Sequence, residues 1–108
     1  MFIIIEFPKM DFNKEQDFED WFKASNQKFQ KFKGIISRNL LKQKDGTEGS
    51  KYIAVMELEN EQAYVNLQSS DVHKNTLLGL IAIIDDMPVK TIYETVYSIN
   101  TKSLITND

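Results

Sequence analysis

The chain of 108 residues contains no cysteine, and this absence removes several kinds of chemistry at once. Without a thiol there is no disulfide, no thiolate nucleophile, no thiolate zinc site and no iron–sulfur cluster. The sequence has a single histidine and two prolines. We therefore expect no metal site and no bound cofactor, and no proline-rich linker divides the chain.

Basic residues and long apolar runs are also scarce. The 13 basic and 16 acidic residues give a formal charge of −3 and a pI near 5.1, which argues against nucleic acid as a partner because phosphate binding needs surplus lysine and arginine. The longest apolar stretch, 77–84, is far shorter than the ~20 residues of a membrane span. Residues 1–7 lack the features of a signal peptide. We expect a cytoplasmic protein that does not bind membranes.

What is present is material for a hydrophobic core. Hydrophobic residues make up 42% of the chain and aromatic residues 11%, which excludes wholesale disorder. The length suits one domain. We place this domain at 1–98, and 99–108 form a polar C-terminal tail.

Residues 2–7 are β-branched and aromatic, which predicts a strand that ends at Pro8. The next apolar positions recur at steps of three and four residues, as in an amphipathic helix. They are Phe18, Trp21, Phe22, Ser25, Phe29 and Phe32. Asn13 and Gln16 resemble a capping box at its start, and Gly34 suits its end.

The remaining pattern predicts a hairpin, a helical region broken once, and a final strand. The predicted segments are strands 35–43 and 52–58 around a turn at 44–50, helices 61–68 and 71–84 capped by Asn60 and by the break at 69–71, and a strand 89–98. The order β-α-β-β-α-β is that of an α+β, ferredoxin-like fold. In this fold a four-stranded antiparallel sheet carries both helices on one face.

The predicted strands are apolar on both faces, although a sheet with helices on one side normally shows water a polar second face. A second copy of the chain is the simplest cover for such a patch, so we predict a homodimer of about 25 kDa through the sheet face. One charged residue interrupts each strand. These residues, Glu6, Arg38, Glu57 and Glu94, either form ion pairs at the interface or point to water at strand ends.

The order of elements and the doubly apolar sheet resemble the dimeric α/β-barrel superfamily, and more narrowly the antibiotic biosynthesis monooxygenase domain family. The segments that carry the resemblance are FQKFKG at 29–34, IISRNLL at 35–41, YIAVMEL at 52–58, EQAY at 61–64 and SSDVH at 69–73. It covers roughly residues 2–98, and the order and spacing of the segments make the case.

The resemblance implies a small pocket between sheet and helices in each subunit. It also implies oxidation of a phenol- or quinol-type substrate by O₂ without metal or flavin, since a deprotonated substrate donates an electron to O₂ directly. One branch of the superfamily degrades haem. This chain departs from that branch at Phe7, Leu67 and Leu77, where the branch has Asn, Trp and the haem-ligating His, so haem degradation is disfavoured.

His73 is the candidate catalytic residue, because a neutral imidazole suits proton abstraction near pH 7. The alternative is a solvent-facing helix residue beside Asp71. The residues expected to line the substrate pocket are Phe7, Trp21, Phe22, Leu67, Leu77 and Tyr93, although an aromatic stripe on a helix is more often plain core. Arg38 suits either an anionic substrate group or, as we expect, an interface ion pair.

Two functions therefore compete. The first is a cofactor-independent monooxygenase acting on a small aromatic metabolite. The second is a non-catalytic homodimer that binds a small apolar ligand or serves in regulation or stress response. A polar group beside an open cavity favours the enzyme, whereas a space filled by the pocket side chains excludes it.

Overall fold

A computed structural model describes residues 1–45 and 50–99. Its elements are β1 (Phe2–Glu6), a 3₁₀ helix (Phe12–Lys14), α1 (Glu15–Phe29), β2 (Ile35–Lys42), β3 (Tyr52–Leu58), α2 (Glu61–Gln68), α3 (Asp71–Ile81) and β4 (Val89–Tyr93). The predicted order of elements is confirmed. The second helical region of the chain consists of two helices, α2 and α3, as the break after residue 68 indicates.

The four strands form one antiparallel sheet in the order β2-β3-β1-β4. The two central strands, β1 and β3, are therefore the first and third along the chain, and the helical segments return the chain across one face. This is the predicted ferredoxin-like α+β architecture.

The sheet has one covered and one uncovered face. In β3, Tyr52, Ala54, Met56 and Leu58 are buried under the helices, and the residues between them are only half-buried. The pairing register extends this alternation to the neighbouring strands. The apolar side chains that it places on the uncovered face are Phe2, Ile4, Leu41, Ile53, Val55, Val89 and Tyr93.

The predicted N-terminal caps are correct for α2 and α3 but not for α1. The Asn60 side chain accepts a hydrogen bond from the Ala63 backbone N–H at 2.9 Å, and the Ser70 hydroxyl accepts one from the His73 N–H at 3.2 Å. The capping box at Asn13 is wrong, because that residue lies within the 3₁₀ helix and α1 begins without a side-chain cap.

Gly34 occupies the turn between α1 and β2 with φ +99°, in the region that favours glycine. A Cβ at this position would lie 2.5 Å from the Cβ of Ala63 on α2. The glycine therefore permits both the turn and the close approach of α2.

The last strand is shorter than predicted. β4 ends at Tyr93, opposite the first residue of β1, so no backbone of β1 lies beside the residues that follow. Residues 94–99 are exposed, with Val96 at 98%. The middle of the predicted turn at 44–50 and nearly all of the predicted tail fall outside the described residues, and the domain boundary at residue 98 stays a prediction.

Within residues 1–45 and 50–99, none of the helices combines the length and apolar character that crossing a bilayer requires.

Candidate functional site

A cavity of about 90 Å³ lies between the covered face of the sheet and helices α1 and α3. Most of its lining is apolar. The apolar side chains include Ile3, Ile5, Phe7, Trp21, Phe29, Met56, Leu67, Leu77 and Leu80, and the polar ones are Arg38, Gln68, His73, Thr76 and Lys90. An apolar hollow with a few convergent polar groups is the usual form of a small-molecule site.

Trp21 forms one wall of the cavity and is held in place. Its indole N–H donates to the Thr76 carbonyl oxygen on α3 at 2.9 Å, and its ring stacks on Phe18 with centroids 5.6 Å apart. Phe7 meets the edges of both aromatic rings. This aromatic cluster gives the cavity a rigid, flat wall suited to packing against a planar ligand.

His73 lines the cavity from the first turn of α3, where the Ser70 cap fixes its backbone. Burial, and secondarily the positive charge of Lys90, lower the pKa of His73 below its usual value. The imidazole is therefore neutral at pH 7 and able to accept a proton. Lys90 itself donates to the Tyr64 hydroxyl at 2.7 Å.

Arg38 reaches the cavity from β2, which corrects the expectation that it belongs to the uncovered face. Its Nη1 donates to Ser25 Oγ and to Asn26 Oδ1, both at 2.6 Å. The guanidinium carbon lies 4.2 Å from the ring centroid of Phe22 and 4.6 Å from that of Phe29. Burial lowers the pKa of Arg38 to about 10, so the group stays charged at neutral pH.

The structure brings five of the seven proposed site residues to one cavity: His73, Phe7, Trp21, Leu67 and Leu77. Phe22 is not part of the lining and lies in the adjoining core, under the Arg38 guanidinium. Tyr93 is not brought to the cavity either. It pairs with Phe2 on the opposite face of the sheet and is 50% exposed.

The polar residues that sequence reasoning left out, Gln68, Thr76 and Lys90, share no motif with His73. Lys90 lies opposite Ile5 in the register, and Thr76 is one turn of α3 beyond His73. A spacing of three residues along a helix was the one signal that pointed to Thr76. Within the described part of the chain, no group of three or more potential metal ligands comes together.

No protein-family model matches the sequence, and no curated protein does. Solved structures do match. SnoaB, a cofactor-independent oxygenase from Streptomyces nogalater, solved as its N63A mutant, superposes with a TM-score of 0.76 at 14% identity, over 91% of this chain and 94% of that one. Rv0793 from Mycobacterium tuberculosis gives 0.76 at 12% identity, over 92% and 97%.

A Deinococcus radiodurans protein, named as an antibiotic biosynthesis monooxygenase, superposes with a TM-score of 0.74 at 13% identity, over 93% of this chain and 97% of that one. At these identities the likeness is one of fold. The chain has the fold of the antibiotic biosynthesis monooxygenases, as the resemblance in the sequence implied.

Proposed function

We propose that the chain is a cofactor-independent monooxygenase that oxidises a small aromatic compound of the phenol or quinol type with O₂. The observation that carries the proposal is a neutral imidazole, His73, on the wall of an otherwise largely apolar cavity. The fold shared with SnoaB, a cofactor-independent oxygenase, supports it.

The chemistry needs no external reductant. His73 accepts the hydroxyl proton of the phenol, and the resulting phenolate donates one electron to O₂. The substrate radical and superoxide combine at a ring carbon to give a peroxide. Loss of water from the peroxide leaves a quinone, so one oxygen atom enters the product and the other leaves in water with the two substrate hydrogens. Trp21 and its neighbours keep the cavity dry and orient the ring.

The size of the cavity limits the substrate. An engineered apolar cavity of roughly 150 Å³ holds benzene, and the cavity here is about 90 Å³. The cavity is therefore smaller than one that holds benzene, so a single aromatic ring requires a small movement of the lining side chains and a polycyclic compound a much larger one. We propose a one-ring substrate rather than a polycyclic one.

Oxygen uptake tests this function. A panel of one-ring phenols and hydroquinones is expected to show uptake above the uncatalysed rate, with one equivalent of O₂ consumed per quinone formed. His73→Gln is expected to lower the rate about 100-fold or more, the usual contribution of a general base. Lys74→Gln, one residue along α3 and exposed, is the matched control. No uptake with any member of the panel would leave the non-catalytic ligand-binding protein as the better account.

The proposed assembly is a homodimer in which the uncovered face of the sheet packs against its copy. On that face Leu41, Val89 and Tyr93 are 49%, 59% and 50% exposed, and the central apolar side chains are only half-buried. Beyond β4, Val96, Tyr97 and Ile99 are exposed as well, so they are available to a second copy. Burial of apolar surface at about 25 cal/mol per Å² supplies the driving force. A cytoplasmic location stays a prediction.

A further inference from the structure

The cavity carries positive charge that nothing in the described chain neutralises. Arg38, which is half-buried, and Lys90, which is exposed, both line it, and its lining contains no aspartate or glutamate. Among residues 1–45 and 50–99, the hydrogen-bond partners of Arg38 are a hydroxyl and an amide, and no carboxylate pairs with it. For Arg38, which is partly withdrawn from water, pairing with an anion is the usual arrangement, because removing a charge from water is costly.

Side-chain groups without a hydrogen-bond partner belong to residues of the same cavity. Two buried side-chain atoms without a partner belong to cavity-lining residues: Arg38 Nε, a donor, and Thr76 Oγ1, part of a hydroxyl. Buried polar atoms without partners are rare in native proteins. The Nε–H of Arg38 is therefore a free donor on a charged group, which forms strong hydrogen bonds with anionic acceptors.

The positive groups also define two ends of the site. Arg38 lies on β2 and Lys90 on β4, the two edges of the sheet, with β3 and β1 between them. Three strand spacings separate these edges by roughly 14 Å. His73 belongs to the Lys90 end, since that lysine contributes to its electrostatic environment. The Arg38 end, beside Phe29 and Met56, lacks a proton acceptor of this kind.

We propose that the cavity binds an aromatic acid: the Arg38 guanidinium receives the carboxylate through its free Nε–H, and the ring lies against the apolar wall. Binding of the acid does not depend on the proposed function. Only the further step, in which the bound acid is the substrate that is oxidised, rests on it. The phenolic hydroxyl then points toward His73 and Thr76, at the other end of the site.

Trp21 makes binding directly measurable, because it is the only tryptophan in the chain and lines the cavity. Its fluorescence is recorded at pH 7 during titration with benzoate, 4-hydroxybenzoate and 2-naphthoate, each compared with its methyl ester, up to millimolar concentrations. The acid is expected to bind at least about tenfold more tightly than its ester, as is typical of a charge-assisted hydrogen bond. Calorimetry checks each affinity.

Arg38→Gln removes the charge and keeps an amide that can donate to Ser25 or Asn26. It is expected to bind acid and ester equally within about twofold, with the ester affinity unchanged, since only the charge-assisted bond is lost. Lys42→Gln is the matched control. It removes a positive charge from the same strand and side, where Lys42 pairs with Glu15 at 3.3 Å outside the cavity, and it is expected to keep the preference for acids.

Three results would overturn the inference: an ester that binds the unmodified chain as tightly as its acid, an Arg38→Gln variant that retains the preference, or no change in fluorescence and no heat with any acid. The first and third need no variant, so they decide the matter even if Arg38→Gln does not fold. Acid binding without oxygen uptake would reject the proposed function alone. Uptake confined to neutral phenols would reject this inference alone.

Discussion

The two faces of the sheet are both rich in apolar side chains but carry charges of opposite sign. On the face that the helices cover, the charged strand residues are basic: Arg38, Lys42 and Lys90. On the uncovered face the register places two acidic residues, Glu6 and Glu57. The charged residues of the strands are therefore interpreted differently on the two faces of the sheet.

On the covered face, a charge within the apolar layer indicates a ligand, because Arg38 has no carboxylate partner in the described chain. On the uncovered face, the acidic residues lie among apolar side chains that the proposed dimer would bury. The four charges predicted for that face cannot pair with one another, since Arg38 lies on the other side and the remaining three are all acidic. We therefore expect apolar contacts to hold the proposed interface.

The largest expected effect is on the free energy of unfolding, and it concerns the buried core between the covered face and the helices. Phe18 is completely buried and contacts the rings of Phe7, Trp21 and Tyr52. Phe18→Ala is expected to lower the free energy of unfolding by about 3–5 kcal/mol through lost burial and a new cavity. Urea unfolding followed by circular dichroism measures the change. Phe12→Ala, at an exposed phenylalanine, is the control and is expected to stay within about 0.5 kcal/mol. Equal losses in both variants would contradict the assignment of the core.

The second prediction tests the uncovered face. Val55→Lys places a charge in the centre of the proposed interface and is expected to weaken the dimer roughly 100-fold, because the ammonium group is buried without a partner. Val65→Lys makes the same substitution on α2, where the valine is already exposed, and is expected to leave the dimer intact. Sedimentation at micromolar concentration distinguishes a mass of about 25 kDa from the 12.6 kDa chain. An unmodified protein that sediments as a monomer would reject the dimer.

Much of the fold could be predicted from local signals. The three- and four-residue steps before Gly34, the polar caps at Asn60 and Ser70, and the two segments on either side of the 44–50 turn each correspond to an element of the structure. These signals depend on neighbours within a few residues, so sequence alone contains them. The end of β4 does not, because it is set by where β1 begins on the adjacent strand.

The aromatic wall of the site could be predicted from the sequence, but the placement of the Arg38 charge beside it could not. The register shifts between Ile35 and Ser37, so that Ile35 packs in the core, whereas Ser37 pairs opposite Glu57 on the other face. A simple two-residue alternation carried through this bulge gives the wrong face for the residues that follow. Arg38 was expected at the interface because one charged residue interrupts each predicted strand. The bulge instead turns it toward Phe22 and Phe29, and a bulge has no clear signal in the sequence.

A smaller effect is expected at the turn that joins α1 to the covered face. Gly34→Ala puts a side chain at φ +99° and 2.5 Å from the Ala63 Cβ, which is expected to cost about 2 kcal/mol of unfolding free energy. Gly79→Ala on α3 is the comparison. There the new Cβ lies 3.1 Å from Trp21, and the gain in helix propensity of up to about 1 kcal/mol offsets the crowding. Urea unfolding of both variants should therefore rank Gly34→Ala as the less stable. The reverse order would contradict the proposed role of the glycine.

The smallest effect is a dependence of stability on pH that arises from His73, at the Lys90 end of the cavity. Burial and Lys90 lower the pKa of His73 in the folded chain, whereas in the unfolded chain the histidine titrates near 6.5. Between these two pKa values the unfolded state binds more protons, so the free energy of unfolding rises with pH. The stability is complete above about pH 6.5 and falls as the pH is lowered toward the folded-state pKa.

His73 is the only histidine of the chain, so a variant isolates its contribution. His73→Gln is expected to abolish the fall in stability that His73 causes between about pH 7 and 5.5. Urea midpoints at several pH values, measured for both proteins in one buffer series, give the two slopes. Lys90→Met is expected to reduce the slope without abolishing it, because burial is the larger cause of the shift. A slope that is the same in all three proteins would place His73 in contact with water, and the cavity would then lose its proton acceptor.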